Sequence, residues 1–365
     1  MKDFEPIVKD VEPAPEAGLR KKSGHRMKKV RIEDAVGTVL AHDMTRIVPG
    51  KVKEVGFKKG HVITPEDLPE LRRIGKEHVY ILDLAPGVIH EDAAALRIAR
   101  AVCGPGLYGS EPSEGKSTIR CRGAGLFQVN VDGLRQINCV EDVILSTLKT
   151  DFPCEPEQVV AATRIIPLVT AESRIEKVEA IARQSGPILQ LKAFHPLRFG
   201  AVVTGSEIYK GLIPDGFEAF VGRKAAKYGC RFVEKILVPD DPARIAAAVA
   251  KLQAAQTGLI IVTGGLSVDP DDVTVTGVRQ TGAQVVVYGS PVLPGAMFLY
   301  ARLGDAHILG LPACVFYHSV TIYDLVLPRI LAGEEITAER IAEMGHGGLC
   351  MDCEVCHFPA CPFGR

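Results

Sequence analysis

Two strand-like segments that each end in a Thr-Gly pair constrain this chain more than any other feature. The first runs from Phe199 to Thr204 and is followed by Gly205, and the second runs from Leu259 to Thr263 and is followed by Gly264. Short apolar runs rich in β-branched residues are typical of buried strands, and glycine permits the sharp turn that follows. If both strands belong to one parallel sheet, the two turns meet at its carboxyl edge, where open α/β sheets form a ligand crevice.

The elements around these turns alternate between strand and helix patterns. Further strands are expected at 231–238, 284–288 and 307–311, and helices at 217–228, 241–252, 273–280 and 317–331. Such alternation predicts a mostly parallel sheet with helices on both faces. We therefore expect an α/β domain over residues 195–335, in which Pro291, Pro294 and Gly295 form a loop that interrupts the alternation.

The rest of the chain divides into regions with weaker signals. Residues 1–27 read as a loose tail, and residues 28–190 as an N-terminal α+β region that can also be read as two lobes, 28–84 and 85–190. A short cysteine-rich tail, 346–365, follows the α/β domain.

Composition excludes several classes of partner. The chain has 365 residues, of which 47% are hydrophobic and 24% charged, and its net charge is −1. That balance gives no bulk attraction to nucleic acid or to a membrane, and the absence of Trp argues against a base-stacking surface. No apolar run reaches the roughly 18 residues that span a bilayer, and the acidic, proline-bearing start is not a secretory signal. We expect a cytoplasmic protein with no nucleic-acid and no membrane partner.

The residues beside the two turns suit an anionic ligand together with a cation. Open backbone N–H groups and hydroxyls suit phosphate oxygens, and carboxylates suit a hard divalent cation that bridges them. We interpret Glu207 and Asp272 as the carboxylates that hold this cation. The alternative interpretation makes Glu207 the first-turn acid of a helix and Asp272 an N-cap. Valine in place of Gly265 should then weaken ligand binding while the fold persists.

The same segments resemble the two signatures of molybdopterin-binding domains. Residues 204–215 resemble the first signature and residues 263–274 the second. Pro294–Gly295 and Gly310–Pro312 fall where that family has its Pro-Gly and Gly-Leu-Pro-Gly segments. Four segments thus agree in order, over about residues 195–335. The resemblance implies a three-layer α/β sandwich for this region.

The stretch Ala35–Ala41 also resembles the start of MoeA- and gephyrin-type molybdopterin molybdenumtransferases. Those enzymes insert molybdate into adenylylated molybdopterin and release AMP with a magnesium-type ion. The resemblance implies molybdopterin or its adenylylated form and molybdate or tungstate as substrates, Mg²⁺ or a similar cation as cofactor, and Glu207 and Asp272 as catalytic residues. We also expect a homo-oligomer. The substrate-binding residues would be Thr204, Gly205, Ser206, Thr263, Gly264, Gly265, Ser267, Asp269, Thr274, Pro294 and Gly295.

Several positions depart from the pattern of that family. Ser206 stands where the family usually has Asp, Asp269 where it has Gly, and Ala296 where it has Lys. Asp269 either restores the carboxylate that is missing at Ser206 or is a turn residue before Pro270. Residues 85–195 have no counterpart in the standard enzymes. The alternative to a transferase is therefore a non-catalytic carrier or chaperone that holds the cofactor for a molybdoenzyme.

Four of the ten cysteines cluster near the end of the chain, at Cys350, Cys353, Cys356 and Cys361. Their C-x2-C-x2-C-x4-C-P spacing is one residue longer than the bacterial ferredoxin run. Without a secretion signal, such clustering indicates a metal site, either an Fe–S cluster or Zn²⁺, and the following proline favours the cluster. We expect this metal to bind independently of the pterin, so that truncation after Met344 removes the metal alone. A third interpretation is a regulator in which the tail senses oxygen.

Overall fold

The structure is a computed structural model that describes residues 28–38, 40–48, 52–61, 63–81, 86–266 and 273–364. It divides the chain into two compact units. The first contains residues up to Glu91 together with Pro167–Ser173, and the second contains Asp92–Ile166 and Arg174–Arg365. The region expected at 28–190 is therefore shared between the two units, and the tail expected at 1–27 lies outside the described residues.

The described residues form short strands and helices along the whole chain. In chain order the strands are β1 (Lys28–Arg31), β2 (Met44–Val48), β3 (Val52–Phe57), β4 (His78–Ile81), β5 (Val88–His90), β6 (Leu107–Gly109), β7 (Lys116–Cys121), β8 (Gly125–Val129), β9 (Val143–Thr147), β10 (Phe152–Cys154), β11 (Val159–Ile165), β12 (Val169–Ala171), β13 (Leu189–Ala193), β14 (Arg198–Thr204), β15 (Arg231–Val238), β16 (Leu259–Thr263), β17 (Gln284–Tyr288), β18 (Leu299–Leu303) and β19 (Ala306–Leu311).

The α-helices are α1 (Leu68–Arg73), α2 (Glu91–Val102), α3 (Val131–Asn138), α4 (Glu172–Ser185), α5 (Ser206–Tyr209), α6 (Arg223–Lys227), α7 (Pro242–Ala254), α8 (Thr274–Gln280), α9 (Ile322–Leu331) and α10 (Ala338–Glu343). Short 3-10 turns lie at Ile32–Ala35, Pro65–Asp67 and Ala313–Phe316, and a π-helical turn lies at Glu218–Gly222. Within the described part of the chain, every helix is too short or too polar to span a bilayer.

The first unit is built from three antiparallel strand pairs, β1 with β4, β2 with β3 and β5 with β12. Its core is small and apolar, with Ile32, Leu40 and Leu71 almost fully buried. The segment before α1 begins with a capping box, in which the Asp67 carboxylate accepts a hydrogen bond of 2.8 Å from the backbone N–H of Thr64. This reciprocal cap satisfies backbone donors that a helix start otherwise leaves open.

The second unit begins with an α+β lobe. Two antiparallel sheets, ordered β10-β8-β13 and β6-β7-β11-β9, lie with helices α2, α3 and α4. This lobe is tied to the α/β part of the same unit by partly buried ion pairs. The Arg329 guanidinium donates to Asp151 at 3.1 Å, and the Lys192 ammonium lies 3.2 Å from the buried Glu334 carboxylate.

The α/β part of the second unit is a six-stranded sheet ordered β15-β14-β16-β19-β18-β17. Strands β15, β14, β16 and β19 run parallel, and β18 pairs antiparallel with both β19 and β17. The strands expected over 195–335 are confirmed. β18 was not predicted, because the βα alternation leaves no place for the tight β18–β19 hairpin, which turns at Gly304–Asp305.

Side chains that alternate along the central strands give the sheet two apolar faces. Val202 of β14 packs in a cluster with Leu252 of α7, whereas its neighbour Val203 packs in a cluster with Phe217 and with Ile322 of α9. Helices therefore cover both faces, and the expected three-layer α/β sandwich is confirmed.

Helix α9 begins five residues later than the sequence predicts, at Ile322 rather than Tyr317. Thr321 and Asp324 form a capping box, in which the Asp324 carboxylate accepts a hydrogen bond of 2.8 Å from the Thr321 N–H. Because Thr321 has extended backbone, the helix cannot extend further back. The expected start was wrong because the apolar periodicity continues into a separate 3-10 turn at Ala313–Phe316.

We predict that Leu252→Ala lowers the free energy of unfolding of the α/β domain by about 2–5 kcal/mol, because Leu252 is fully buried beneath the sheet. The measurement is urea unfolding followed by circular dichroism. Leu237→Ala is the matched control, because Leu237 is 38% exposed. Equal losses for the two variants would mean that this face of the sheet does not carry a packed core.

Candidate functional site

The two Thr-Gly turns lie side by side at the carboxyl edge of the sheet. Strands β14 and β16 are parallel neighbours, with Val203 opposite Thr263 in the register. A Cβ atom on Gly264 would lie only 2.3 Å from the carbonyl oxygen of Thr204, and Gly264 has a φ of +91°. Only glycine fits this approach, both for space and for backbone conformation. The close contact therefore fixes the second turn against the first.

The Thr274 hydroxyl holds the two turns together from the start of α8. Its Oγ1 donates a hydrogen bond of 2.9 Å to the Gly264 carbonyl and lies 3.5 Å from Oγ1 of Thr204. Both threonines are buried, so their hydroxyls serve the turn itself. A Cβ on Gly265 would lie 2.7 Å from Thr274 Oγ1. Valine at Gly265 would therefore disturb the turn itself, so the expected loss of ligand binding would not report on the ligand contact alone.

The second turn continues into residues that the structure does not describe. Ser267, Asp269 and Asp272, which the sequence places in the site, all lie outside the described residues. Just before them, the buried hydroxyl of Thr263 has no hydrogen-bond partner among the described residues. Leaving a buried hydroxyl unpaired costs about 1–3 kcal/mol. The Thr263 hydroxyl is therefore a polar group at the end of β16 that can still form a hydrogen bond.

A carboxylate that sequence reasoning missed reaches the first turn from the neighbouring strand. The backbone N–H of Ser206 donates a hydrogen bond of 2.9 Å to Oδ2 of Asp240. Asp240 follows the end of β15, whose Val238 lies opposite Thr204. The available signal was its position after the strand expected at 231–238, just before the helix expected at 241–252. That helix is capped by Asp241, whose carboxylate accepts a hydrogen bond from the N–H of Arg244.

Glu207 also lies beside this turn. Its carboxylate atoms come within 3.5 Å of the position that a Cβ on Gly205 would occupy, and the residue is exposed to solvent. Two carboxylates thus approach the turn at Gly205 and Ser206, Glu207 on α5 and Asp240 beyond β15. Two carboxylates beside one turn offer the hard oxygen ligands that a divalent cation prefers.

Asp215, which belongs to the first signature, is paired with a lysine. Its carboxylate accepts from the N–H of Phe217 at 2.9 Å and lies 2.5 Å from the Lys235 ammonium. Glu218 also lies 2.6 Å from that ammonium. Partial burial acts to lower the pKa of Lys235, but the hydrogen bonds that its ammonium donates to the two carboxylates outweigh this and raise the pKa above its usual value. Asp215 therefore helps to order the start of the helical segment rather than to present a free charge.

Pro294 and Gly295 lie in the connection between β17 and β18 and pack against the start of α9. The Pro294 carbonyl accepts a hydrogen bond of 3.2 Å from the N–H of Ile322, and a Cβ on Gly295 would lie 2.5 Å from the Ile322 side chain. The Gly295 carbonyl accepts from the Ser290 hydroxyl at 3.0 Å. Their contacts order the loop, whereas Thr204, Gly264 and Thr274 form the contact between the two turns.

Two known protein families match parts of this chain. Residues 200–332 match the family described as the probable molybdopterin binding domain, and residues 29–83 match a domain of unknown function. The resemblance drawn from the Thr-Gly turns is thereby confirmed, and residues 200–332 form an α/β domain of the molybdopterin-binding type.

Known relatives align with only part of this chain. A molybdopterin molybdenumtransferase of Haemophilus influenzae is 31% identical over 150 residues, which are 39% of this chain and 37% of the relative. A CinA-like protein of Citrifermentans bemidjiense is 31% identical over 112 residues, 30% of this chain and 27% of the relative. The chain thus spans less than half the length of these curated relatives.

Solved structures with a related chain trace include the molybdopterin biosynthesis enzyme MoaB of Thermus thermophilus. It is 19% identical with a TM-score of 0.31, and the match covers 38% of this chain and 98% of that chain. A molybdenum cofactor biosynthesis protein of Pyrococcus furiosus is 12% identical with a TM-score of 0.26, and its match covers 84% of this chain and 65% of that chain.

We predict that Gly264→Ala destabilises the protein far more than Gly282→Ala. Both glycines have positive φ angles, +91° and +82°, but a Cβ on Gly282 meets nothing within 4 Å. Gly282→Ala should therefore lower the free energy of unfolding by only about 1 kcal/mol, the cost of a positive φ for alanine. Gly264→Ala should lower it by at least about 2 kcal/mol more, because its Cβ also clashes with the backbone of the first turn. Thermal unfolding measures both. Similar melting temperatures would contradict the close contact of the two turns.

Proposed function

We propose that this chain binds a phosphorylated pterin of the molybdopterin type at its two Thr-Gly turns and acts in molybdenum cofactor biosynthesis in the cytoplasm. The observation that carries the proposal is the close approach of Gly264 to the Thr204 carbonyl, which brings turns from two parallel strands to one edge. Backbone amides at such turns suit phosphate oxygens. The family match over residues 200–332 supports a pterin as the phosphate carrier.

The reaction that fits this edge is insertion of molybdate or tungstate into adenylylated molybdopterin, with release of AMP. Breaking a phosphoanhydride leaves negative charge on the departing phosphate, which the site has to neutralise. Glu207 and Asp240 offer carboxylate oxygens beside one turn, a donor set that fits Mg²⁺. Asp272, outside the described residues, is a third candidate ligand. The ion, when bound, would stabilise charge on the phosphate oxygens.

Asp240 compensates for the family carboxylate that is absent at Ser206. In the usual pattern the turn itself carries an aspartate, whereas here the turn carries a serine whose N–H binds Asp240 at 2.9 Å. The negative charge therefore reaches the same turn from the end of β15. Because this hydrogen bond also orients the carboxylate, the charge is held in place before any ligand arrives.

A non-catalytic carrier is the second candidate, and the same hydrogen bond favours it. The Ser206 N–H is occupied by Asp240, so it is one donor fewer for a phosphate oxygen. Ala296 also stands where the resemblance expects a lysine. A carrier would hold molybdopterin or the finished cofactor for a molybdoenzyme without cleaving any bond.

Release of AMP separates the two candidates. Purified full-length chain is mixed with adenylylated molybdopterin, Mg²⁺ and molybdate, and AMP is followed by chromatography. AMP that depends on molybdate is expected for the transferase. Tight pterin binding without AMP would establish the carrier instead, and absence of pterin binding would overturn both.

We predict that Glu207→Gln and Asp240→Asn each lower the turnover number by about 10- to 1,000-fold, with a smaller effect on pterin affinity. The amide keeps the shape but loses the charge that holds the cation, and such a change costs about 1.4–4 kcal/mol in the transition state. Asp272→Asn should behave in the same way.

Glu234→Gln is the matched control for these variants. Glu234 lies on the edge strand β15 and pairs with Lys251, away from the turn. It should keep the parent turnover number. Unchanged turnover in Glu207→Gln and Asp240→Asn would remove both carboxylates from the proposed cation site.

A further inference from the structure

The four cysteines of the tail line one common cavity. This cavity has a volume of about 100 Å³, and its wall also includes the ring of His318. Cys350 and Cys361 are half-buried, and Cys353 and Cys356 are exposed. The four thiols can share one cavity only if the backbone of the loop folds back on itself. The backbone contacts of the loop show how it does so.

Backbone contacts fix both ends of the tail. At its start, the Gly348 carbonyl accepts from the N–H of Leu293 at 2.7 Å, and the N–H of Cys350 donates to the Leu293 carbonyl at 2.8 Å. At its end, the N–H of Gly364 donates to the carbonyl of Gly347 at 2.9 Å, and Phe363 is buried in the main core. The segment between these anchors is therefore a closed loop with its ends together.

A turn brings the fourth cysteine back to the first three. The N–H of Ala360 donates to the His357 carbonyl at 2.7 Å, which reverses the chain just before Cys361. The one extra residue relative to the ferredoxin run lies in this turn. In two-cluster ferredoxins the fourth cysteine of the run binds the other cluster. Here Cys361 lines the same cavity as Cys350, so one chain segment supplies four ligands to one place.

The loop has little apolar burial of its own. Between Cys350 and Ala360 it has neither helix nor strand, and Leu349, Met351 and Val355 are at least 64% exposed. The middle of the loop thus has few apolar contacts to order it, and small loop-rich modules use metal ligation for this purpose. Four cysteines around one cavity supply that ligation.

The order of the cysteines along the chain favours one of the two kinds of metal site. Three cysteines at C-x2-C-x2-C spacing, followed by a fourth cysteine and a proline, are typical of iron–sulfur ligation, whereas structural zinc sites typically use separated ligand pairs. The tail has this order, and all four of its cysteines line one cavity. We propose that Cys350, Cys353, Cys356 and Cys361 bind one 4Fe–4S cluster.

The proposed cluster lies at the same edge of the sheet as the two Thr-Gly turns. Leu293 is in the connection that leaves β17 at this edge, and His318 follows β19, the neighbour of β16. Leu293 directly precedes Pro294–Gly295 in the chain. Truncation after Met344 would therefore remove the partners of Leu293 and the buried ring of Phe363 together with the metal. It is not a test of the metal alone, and substitution of the exposed cysteines is cleaner.

Metal content of the full-length chain tests the proposal. The protein is purified without oxygen, and iron, acid-labile sulfide and zinc are measured per chain. We expect about four iron and four sulfide, with a brown chromophore. One zinc per chain without iron would overturn the cluster, and protein without metal that has four alkylatable tail thiols would overturn the site. None of these measurements depends on the pterin, so the result is independent of the proposed enzymatic function.

Two variants and one control identify the ligands. Cys353→Ser and Cys356→Ser should each lower iron content by more than half, because each removes a thiolate from the cavity. Cys139→Ser is the matched control, since Cys139 is an exposed thiol outside the cavity and should leave the iron unchanged. Circular dichroism of each variant checks that the sheet domain is folded. Full iron content in both tail variants would overturn the assignment.

Discussion

The approach of Gly264 to the Thr204 carbonyl is the contact on which the candidate site depends. A Cβ at that position would lie 2.3 Å from the carbonyl oxygen, closer than two such atoms can come. The two turns can be this close because β14 and β16 are buried, parallel neighbours whose side chains pack into both faces of the sheet. Helix packing therefore aligns the strands, and the missing side chain lets their ends meet.

The charges around this contact come from different segments of the chain. Glu207 belongs to the turn after β14, and Asp240 arrives from the end of β15. A sequence motif contains only Glu207, because Asp240 comes close to the turn only when β15 pairs with β14. The loss of an aspartate at Ser206 therefore does not remove negative charge from the turn. Adjacent parallel strands end at the same edge of the sheet. A carboxylate that is absent after one strand can therefore be supplied from the end of its neighbour.

The sequence predicted the parts of the fold that depend on local pattern. Buried β-branched runs and glycine turns identified β14 and β16, and the alternation of strand and helix patterns placed α7 to within a few residues. The sequence did not predict the features that depend on contacts between distant segments or on a specific helix cap. β18 forms because a hairpin pairs it with β19, and α9 starts at its capping box rather than where the apolar periodicity begins. Asp240 was missed for the same reason, since its partner is the Ser206 N–H in the turn that follows another strand.

The tail and the sheet edge are linked through Leu293. Both backbone groups of this residue are bonded to the tail, at Gly348 and Cys350, and the next residues in the chain are Pro294 and Gly295. If a cluster orders the tail, its binding free energy also stabilises these two hydrogen bonds. Linkage is reciprocal, so any ligand that favours the ordered form of this loop would in turn favour the cluster-bound tail. The size of that coupling is limited by the free energy of two backbone hydrogen bonds, about 1–3 kcal/mol. If the proposed cluster and the proposed pterin site are both present, coupling through this loop would change the pterin affinity by about 150-fold at most, which is an adjustment rather than an on–off switch.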